Sequence, residues 1–333
     1  KDALTEYNGG PTGRKPHYYR MVMGAYVEVL ERAELRAEVA HGREEHLLPE
    51  EPGVVEVTGG GLAGGPAWID VSSSSQYASA LLLAGPILPR GIDLTLRGHV
   101  VSAPFIAMTA GSMAEFGVRV ERPAPDRYIV PAGQRYVARE YRVEPDATAA
   151  SYFLAAAAAT GGSVRVDGIG SGSAQGDLAF VDVLARMGCE VVKEADHIEV
   201  TGPERLVGVE VDMGGISDTA LTLAAIAPLA TGPVRITGIA HTRAQESDRV
   251  AAAVTELRRV GAEVEELPDG LVVLPSRDRL RGASIRTYGD HRVAMAFAVL
   301  GLVVSGMVIE DPACVAKTFP DFFDRLEQLV SVA

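Results

Sequence analysis

The sequence predicts an α/β chain built from repeated βαβαββ units, and three observations carry that reading. A short phrase, in which an apolar residue and a glycine close a helix and a brief strand follows, occurs three times. Its copies are Glu115-Phe116-Gly117-Val118-Arg119-Val120, Arg186-Met187-Gly188-Cys189-Glu190-Val191 and Arg259-Val260-Gly261-Ala262-Glu263-Val264. The glycines stand 71 and 73 residues apart, each where a helix commonly ends in left-handed backbone. A second phrase, an Ala/Leu-rich helix followed by a glycine turn and a β-branched strand, keeps the same beat. Finally, 333 residues with 47% apolar content exceed one ordinary domain and suit two. The expected division is 1–142 and 143–333.

Along the chain, Val54 to Val57 reads as a strand, Gly59 to Gly64 as a tight turn and Gly65 to Asp70 as a second strand. The glycine run formally matches the dinucleotide fingerprint, but that motif must open a helix, so it is not a nucleotide site. Helices are then expected over Gln76 to Gly85, Ala147 to Ala159, Asp218 to Leu229 and Arg292 to Val304. The strands that follow them begin at Ile92, Val164, Val234 and Met307. The helix-opening residues Gln76, Asp146, Asp218 and Asp290 are spaced 70, 72 and 72. Partner strands cover Tyr128 to Val130, Ile198 to Val200 and Leu271 to Leu274, and a further helix covers Val250 to Val260. A period near 71 is too long for a solenoid and suits a unit of six elements. Equivalent units would bring equivalent helix N-termini, with their unpaired amides and positive dipole ends, onto one anion-attracting surface. Taken singly, each Asp or Ser there is a cap for its own helix.

A formal charge of −13 argues against a nucleic-acid surface. The two cysteines, Cys189 and Cys314, make neither a disulfide framework nor a zinc site, which fits a cytoplasmic protein. Val293 to Ile309 is apolar, but Ser305-Gly306 interrupts it, so a buried helix and strand are expected rather than a membrane span. Lys1-Asp2-Ala3-Leu4 shows no secretory pattern.

Only four lysines stand against 27 arginines, which makes Lys317 in Ala316-Lys317-Thr318-Phe319-Pro320 conspicuous. Arginine suits bidentate recognition of carboxylate or phosphate, and lysine is a compact charge or proton donor. Arg292 follows Asp290-His291 directly before an apolar helix, which places its head near a helix N-terminus. The run Arg243-Ala244-Gln245-Glu246-Ser247-Asp248-Arg249 leads into another helix and reads, on its own, as a solvated first turn. No Walker loop, paired metal-ligand histidines or Gly-x-Ser-x-Gly elbow is present.

Several motifs recur in a consistent order. They are Ser74-Ser75-Gln76, Ser102-x-Pro104, Asp146-Ala-Thr-Ala-Ala-Ser-Tyr-Phe153, Gln175-Gly-Asp177, Ser217-Asp218, Glu246-Ser-Asp-Arg249, Asp290-His-Arg292 and Lys317-Thr-Phe-Pro320. From about Gly59 onward the chain resembles the enolpyruvyl transferases, most closely those acting on shikimate 3-phosphate. The resemblance implies a two-domain inside-out α/β barrel, three units to each domain, closing over shikimate 3-phosphate and phosphoenolpyruvate. It implies that Ser74, Ser75, Gln76, Ser102, Asp218, His241 and Gln245 bind shikimate 3-phosphate. Gln76, Arg249, Arg292 and Lys317 would hold phosphoenolpyruvate. Asp218 would be the base for the 5-hydroxyl and Glu246 the acid–base partner at the enolpyruvyl methylene. The implied reaction needs a proton shuttle and cations to follow shifting negative charge, and calls for no metal or organic cofactor. A monomer with small-molecule substrates, and with neither membrane nor nucleic-acid partners, is expected.

The resemblance also exposes departures. Six such units would be longer than this chain by more than one unit, and the shortfall is expected at the N-terminus. The family's opening Lys-Ser…Arg segment has no counterpart there. Asn8-Gly9-Gly10-Pro11-Thr12-Gly13-Arg14 is similar to the loop that holds phosphoenolpyruvate, which adds Gly10 and Arg14 to that set. His241, Gln245 and Phe105 stand where Asn, Lys and an aromatic hydroxyl are common. Two alternatives remain open: the sister enzyme acting on UDP-N-acetylglucosamine, and a non-catalytic anion-binding relative. The first relies on a loop cysteine in the N-terminal domain, whereas both cysteines here lie in the C-terminal half.

Overall fold

The computed structural model describes residues 62–331. The chain divides into two compact units. Among the described residues one comprises 62–100 and 105–140, and the other 101–104 and 141–331.

The first unit carries one complete repeat: β1 (Gly65–Asp70), α1 (Gln76–Ala84), β2 (Ile92–Arg97), α2 (Pro104–Glu115), β3 (Glu121–Ala124) and β4 (Arg127–Val130). The sheet order is β1-β2-β4-β3, with β1 parallel to β2 and the remaining pairs antiparallel. A parallel pair needs a crossover, and α1 supplies it. Its Ala78, Ser79 and Leu82 face inward at helical spacing onto Ile69, Leu94 and Ile106. Buried Ser79 accepts a hydrogen bond from the Thr109 hydroxyl at 2.8 Å, so the polar group it brings into the core is satisfied.

The second unit holds the other copies. α3 (Ala147–Thr160), β5 (Ser163–Asp167), α4 (Phe180–Arg186), β6 (Glu190–Lys193) and β7 (His197–Thr201) form an antiparallel sheet of order β5-β7-β6. Next come β8 (Val209–Asp212), α5 (Ala220–Ile226), β9 (Val234–Thr237), α6 (Arg249–Arg259), β10 (Val264–Leu267) and β11 (Gly270–Val273). They repeat the first unit's pattern in full, with order β8-β9-β11-β10 and one parallel pair, β8 with β9. β12 (Ser284–Ile285), α7 (His291–Leu300) and β13 (Val308–Ile309) begin another copy, and α8 (Phe322–Ser331) follows. Helices α3, α5 and α7 pack on one another and are buried along nearly their whole length. Their many alanines permit that close approach, so the helices form the interior and the sheets lie outside them.

The glycine phrase is one structural motif used three times. Val118, Cys189 and Ala262 donate their N–H groups five residues back, to the carbonyls of Met113, Leu184 and Leu257, at 2.9, 3.1 and 2.9 Å. Gly117, Gly188 and Gly261, at φ of 83°, 98° and 91°, donate three residues back to Ala114, Ala185 and Arg258. This is the Schellman closure of a helix. Because it consumes the first N–H after each glycine, the strands start later than the spacing predicts. Val118 to Val120, expected as strand, is irregular, since Arg119 N–H donates to Gln134 Oε1 at 2.8 Å and the ladder begins at Glu121.

A second repeated device ends β1 and β8. Asp70 Oδ1 accepts from Ser72 N–H at 2.8 Å, and Asp212 Oδ1 accepts from Gly214 N–H at 2.8 Å. Each turn lies against a glycine at positive φ, Gly98 at 78° and Gly238 at 76°. A Cβ there would fall 2.0 Å from Ser72 Oγ or 2.1 Å from Asp212 Oδ1. The two turns lead directly into Ser74-Ser75-Gln76 and Ile216-Ser217-Asp218, so these segments are structurally equivalent.

The expected helix from Asp218 to Leu229 is a 3-10 turn, α5 and a second 3-10 turn. Pro228 lacks an N–H and ends the α pattern there. The apolar run from Val293 forms buried α7 and then β13, as expected. Among the described residues no helix is long and apolar enough to cross a membrane.

Candidate active site

Three of the four aspartates at helix starts in the second unit are caps. Asp146 Oδ1 accepts from Thr148 and Ala149 N–H, Asp248 Oδ1 from Ala251 N–H, and Asp290 Oδ1 from Arg292 N–H. Asp218 behaves differently. It lies within the 3-10 turn Ser217–Thr219, and its carboxylate is taken up by side chains instead. Arg249 Nη1 donates to its Oδ1 at 3.1 Å and Arg292 Nη2 to its Oδ2 at 2.8 Å.

Arg249 organises the cluster. As the first residue of α6 it is 3% exposed, which corrects the expectation of a solvated first turn. Its Nε donates to Asp290 Oδ2 at 2.9 Å and its Nη2 to Glu246 Oε2 at 2.6 Å, while Nη1 also donates to Gln245 Oε1. One guanidinium thus bridges three carboxylates and an amide, a use of its planar fork that no lysine reproduces. Ser247 Oγ donates to Asp290 Oδ2 at 2.9 Å and completes that carboxylate's shell. Lys317, at the end of the 3-10 turn Pro312–Lys317, donates to Glu246 Oε1. Burial pushes Glu246 upward, but the charges of Arg249 and Lys317 outweigh it and hold the carboxyl down at about 2. Burial likewise raises Asp290, and the Arg249 charge and hydrogen bond overcome it, leaving its carboxyl below the usual range. His291 is buried beside Arg292; burial first and that charge second lower its ring to about 4, so it is neutral at pH 7.

A polar chain extends from the same turn. His241 Nε2 lies 2.9 Å from Ser217 Oγ, which lies 3.3 Å from Ser102 Oγ. Ser102 has φ of 49°, and its N–H donates to Gly214 carbonyl oxygen at 3.2 Å. Ser102, Asp218, His241, Gln245, Glu246, Arg249, Arg292 and Lys317 therefore belong to connected networks within the second unit. Ser74, Ser75 and Gln76 stand at the start of α1 in the first unit, where Gln76 N–H donates to Ser74 Oγ at 3.2 Å and Ser75 is buried. Gly10 and Arg14 lie outside the described residues.

Sequence reasoning assigned no role to three further groups. Asp290 reads as a helix opener, yet its second oxygen holds Arg249 and Ser247. Asp177, in the Gln175-Gly-Asp177 motif, is buried and accepts from the Thr148 hydroxyl. Burial and then the nearby Asp218 charge push its carboxyl up to about 6. Tyr152 is fully buried against Arg292. The motif containing Asp177 was a visible signal; the partners of Asp290 and Tyr152 lie too far along the chain for spacing to reveal.

This arrangement offers two carboxylates, Asp218 and Glu246, bridged by one buried guanidinium and flanked by two more cations. It suits proton transfer beside an anion. Residues 36–326 match the family profile described as EPSP synthase (3-phosphoshikimate 1-carboxyvinyltransferase). A relative from Photobacterium damsela subsp. piscicida bearing that enzyme name is 41% identical over 316 residues, covering 95% of this chain and 72% of the relative. The chain belongs to the EPSP synthase family.

A second member of the EPSP synthase family, from Nostoc punctiforme, is 49% identical over 270 residues, or 81% of this chain. The match spans 63% of that relative's length. Among solved structures, an EPSP synthase from Acinetobacter baumannii superposes with a TM-score of 0.68 at 24% identity, covering 78% of this chain and 62% of that one. The enolpyruvyl transferase NikO from Streptomyces tendae gives 0.62 at 19% identity, covering 80% and 64%. The expected two-domain inside-out α/β class is thus the fold of this chain, although none of the sheets among the described residues closes into a barrel.

Proposed function

We propose that this chain transfers the enolpyruvyl group of phosphoenolpyruvate to the 5-hydroxyl of shikimate 3-phosphate and releases phosphate. The observation that carries the reading is the bridge from Asp218 through Arg249 to Glu246, with Arg292 and Lys317 on its flanks. Ser74, Ser75, Gln76, Ser102, His241 and Gln245 bind shikimate 3-phosphate, and Gln76, Arg249, Arg292 and Lys317 bind phosphoenolpyruvate, with Gly10 and Arg14 assigned to the same ligand. Once the phosphate of phosphoenolpyruvate draws Lys317 from it, Glu246 takes up a proton and passes it to C3, which makes C2 electrophilic, and the 5-hydroxyl adds to C2 as Asp218 takes its proton. The tetrahedral intermediate then expels phosphate as C3 returns a proton to Glu246. Fixed cations neutralise the substrate carboxylate and the negative charge that the departing phosphate gains as its C–O bond breaks, without solvent reorganisation. The assignment extends to a cytoplasmic monomer with domains 1–142 and 143–333.

Phosphate release by the full chain, with both substrates present, tests the reading. Turnover that needs shikimate 3-phosphate supports it. Ternary binding without turnover favours the non-catalytic relative, and turnover with UDP-N-acetylglucosamine alone favours the sister enzyme; either result overturns the proposal.

A further inference from the structure

The segment that carries Asp290 into the site contains a conformational anomaly. Asp290 N–H donates to the Thr287 carbonyl at 2.8 Å, closing a four-residue turn whose central residues, Tyr288 and Gly289, have φ of 58° and 68°. Positive φ at both centres is the pattern of a type I′ turn, whose first central position is ordinarily Gly, Asn or Asp. A tyrosine there is strained, and such strain persists only where surrounding structure over-determines it.

The surrounding structure is Glu256. This carboxylate, completely buried on α6, accepts from the Tyr288 hydroxyl at 2.7 Å on Oε1. Its Oε2 accepts from Arg286 N–H at 3.2 Å and pairs with Arg259 Nε at 3.1 Å. Glu256 stands seven residues after Arg249, two helical turns along the same face of α6, or about 10 Å away. One helix therefore grips the segment twice, with Glu256 holding Arg286 and Tyr288 and Arg249 holding Asp290.

We infer that Glu256 and Tyr288 are positioning residues: docking the Tyr288 hydroxyl on buried Glu256 fixes the turn that sets Asp290, and through it the guanidinium of Arg249 and the start of the helix bearing Arg292. Tyr288 and Glu256 lie 32 residues apart, too far along the chain for local sequence pattern to link them. Neither touches the reacting groups. Their consequence for catalysis rests on the proposed transferase reading; their consequence for the turn does not.

Three variants of the full chain test the inference. Tyr288→Phe keeps the ring and removes the hydroxyl. Glu256→Gln keeps the shape, but its single acceptor oxygen can serve only one side of the former carboxylate, and its amide nitrogen meets a donor. Tyr288→Asn suits the turn backbone better and cannot reach Glu256. Amide exchange at Asp290 and Arg292 is expected to be about tenfold faster in all three, with amides in the second half of α7 unchanged. Wild-type protection in Tyr288→Phe overturns the inference, as does Tyr288→Asn behaving better than wild type; if Glu256→Gln does not fold, Tyr288→Phe decides. In kinetics, Tyr288→Phe should raise KM for phosphoenolpyruvate about tenfold and leave KM for shikimate 3-phosphate within about twofold. Equal rises in both overturn directed positioning, whereas a wild-type chain without turnover removes the transferase reading and leaves the exchange result to judge the turn.

Discussion

Arg249 and Asp290 form an ion pair sealed from solvent, with Nε donating to Oδ2 at 2.9 Å and side-chain exposures of 3% and 0%. Removing one member of such a pair leaves the other charge buried without its partner. Asp290→Ala also uncaps α7 and frees Ser247, so it is expected to destabilise the protein by about 3–5 kcal/mol. Urea unfolding monitored by circular dichroism measures this, and a loss below about 1 kcal/mol would show the pair to be dispensable.

Asp177 provides a pH signature of opposite sign to that of most carboxylates. Its folded carboxyl sits at about 6, above the ordinary 3.8, so between these values the folded state holds more protons than the unfolded one. Stability should therefore fall as pH rises from about 4 to about 6, by an amount on the order of 2–3 kcal/mol. Glu246, held at about 2, acts in the other direction and in a separate window, losing its contribution as pH falls below about 4.5. Asp177→Asn should flatten the upper window and leave the lower one intact. Unfolding midpoints at pH 4 and pH 7 read the upper window, and midpoints at pH 2 and pH 4 read the lower one.

Gly98 and Gly238 offer a matched pair of substitutions. Both need positive φ, and each lies beside an aspartate turn at the end of a parallel strand. Alanine is expected to cost about 1–2 kcal/mol at either position from backbone strain. The cost should be greater at Gly238, where the new methyl strikes the Asp212 carboxylate itself, than at Gly98, where the nearest atom is a rotatable serine hydroxyl. Thermal melts of the two variants compare them directly, and a larger loss for Gly98→Ala would contradict the steric ranking.

Asp218→Asn and Lys317→Met should separate chemistry from anion binding. The first preserves shape and removes the proposed base, so kcat is expected to fall about 10²–10⁴-fold with little change in ligand affinity. The second removes a cation and should lower kcat/KM for phosphoenolpyruvate about 10²-fold. Steady-state kinetics with calorimetric titration distinguish them; equal loss of binding and turnover in Asp218→Asn would remove its role as base.

Much of the fold was legible because its signals are local. A helix-ending glycine, a β-branched triplet and a capping aspartate each act within a few residues, and their recurrence near every 71 residues revealed the unit. Lys317 and Arg292 stood out for the same reason, since each sits in a short motif at an element boundary. What escaped depends on distance along the chain. By local pattern Asp218 looks like its capping neighbours Asp146 and Asp290; the family resemblance singles it out, and the arrival of two guanidiniums from 31 and 74 residues away gives the physical reason. Arg249 reads as a first-turn surface charge until its partners are seen. Strand starts shifted because the Schellman closures use N–H groups that the pattern alone leaves free for a ladder.

The grip of Lys317 on Glu246 has a consequence for how the protein meets its ligands. Both partners are engaged with each other, so a phosphate binding at Lys317, as proposed above, would trade places with an internal anion as well as with water. The displaced carboxylate, relieved of one of the charges that keep it ionised, regains affinity for hydrogen ions. Loading the site should thus draw acid from the surroundings and deliver it where an olefin would need it, visible as a titration heat that changes with the buffer chosen. If the heat is the same in every buffer, no such exchange accompanies capture.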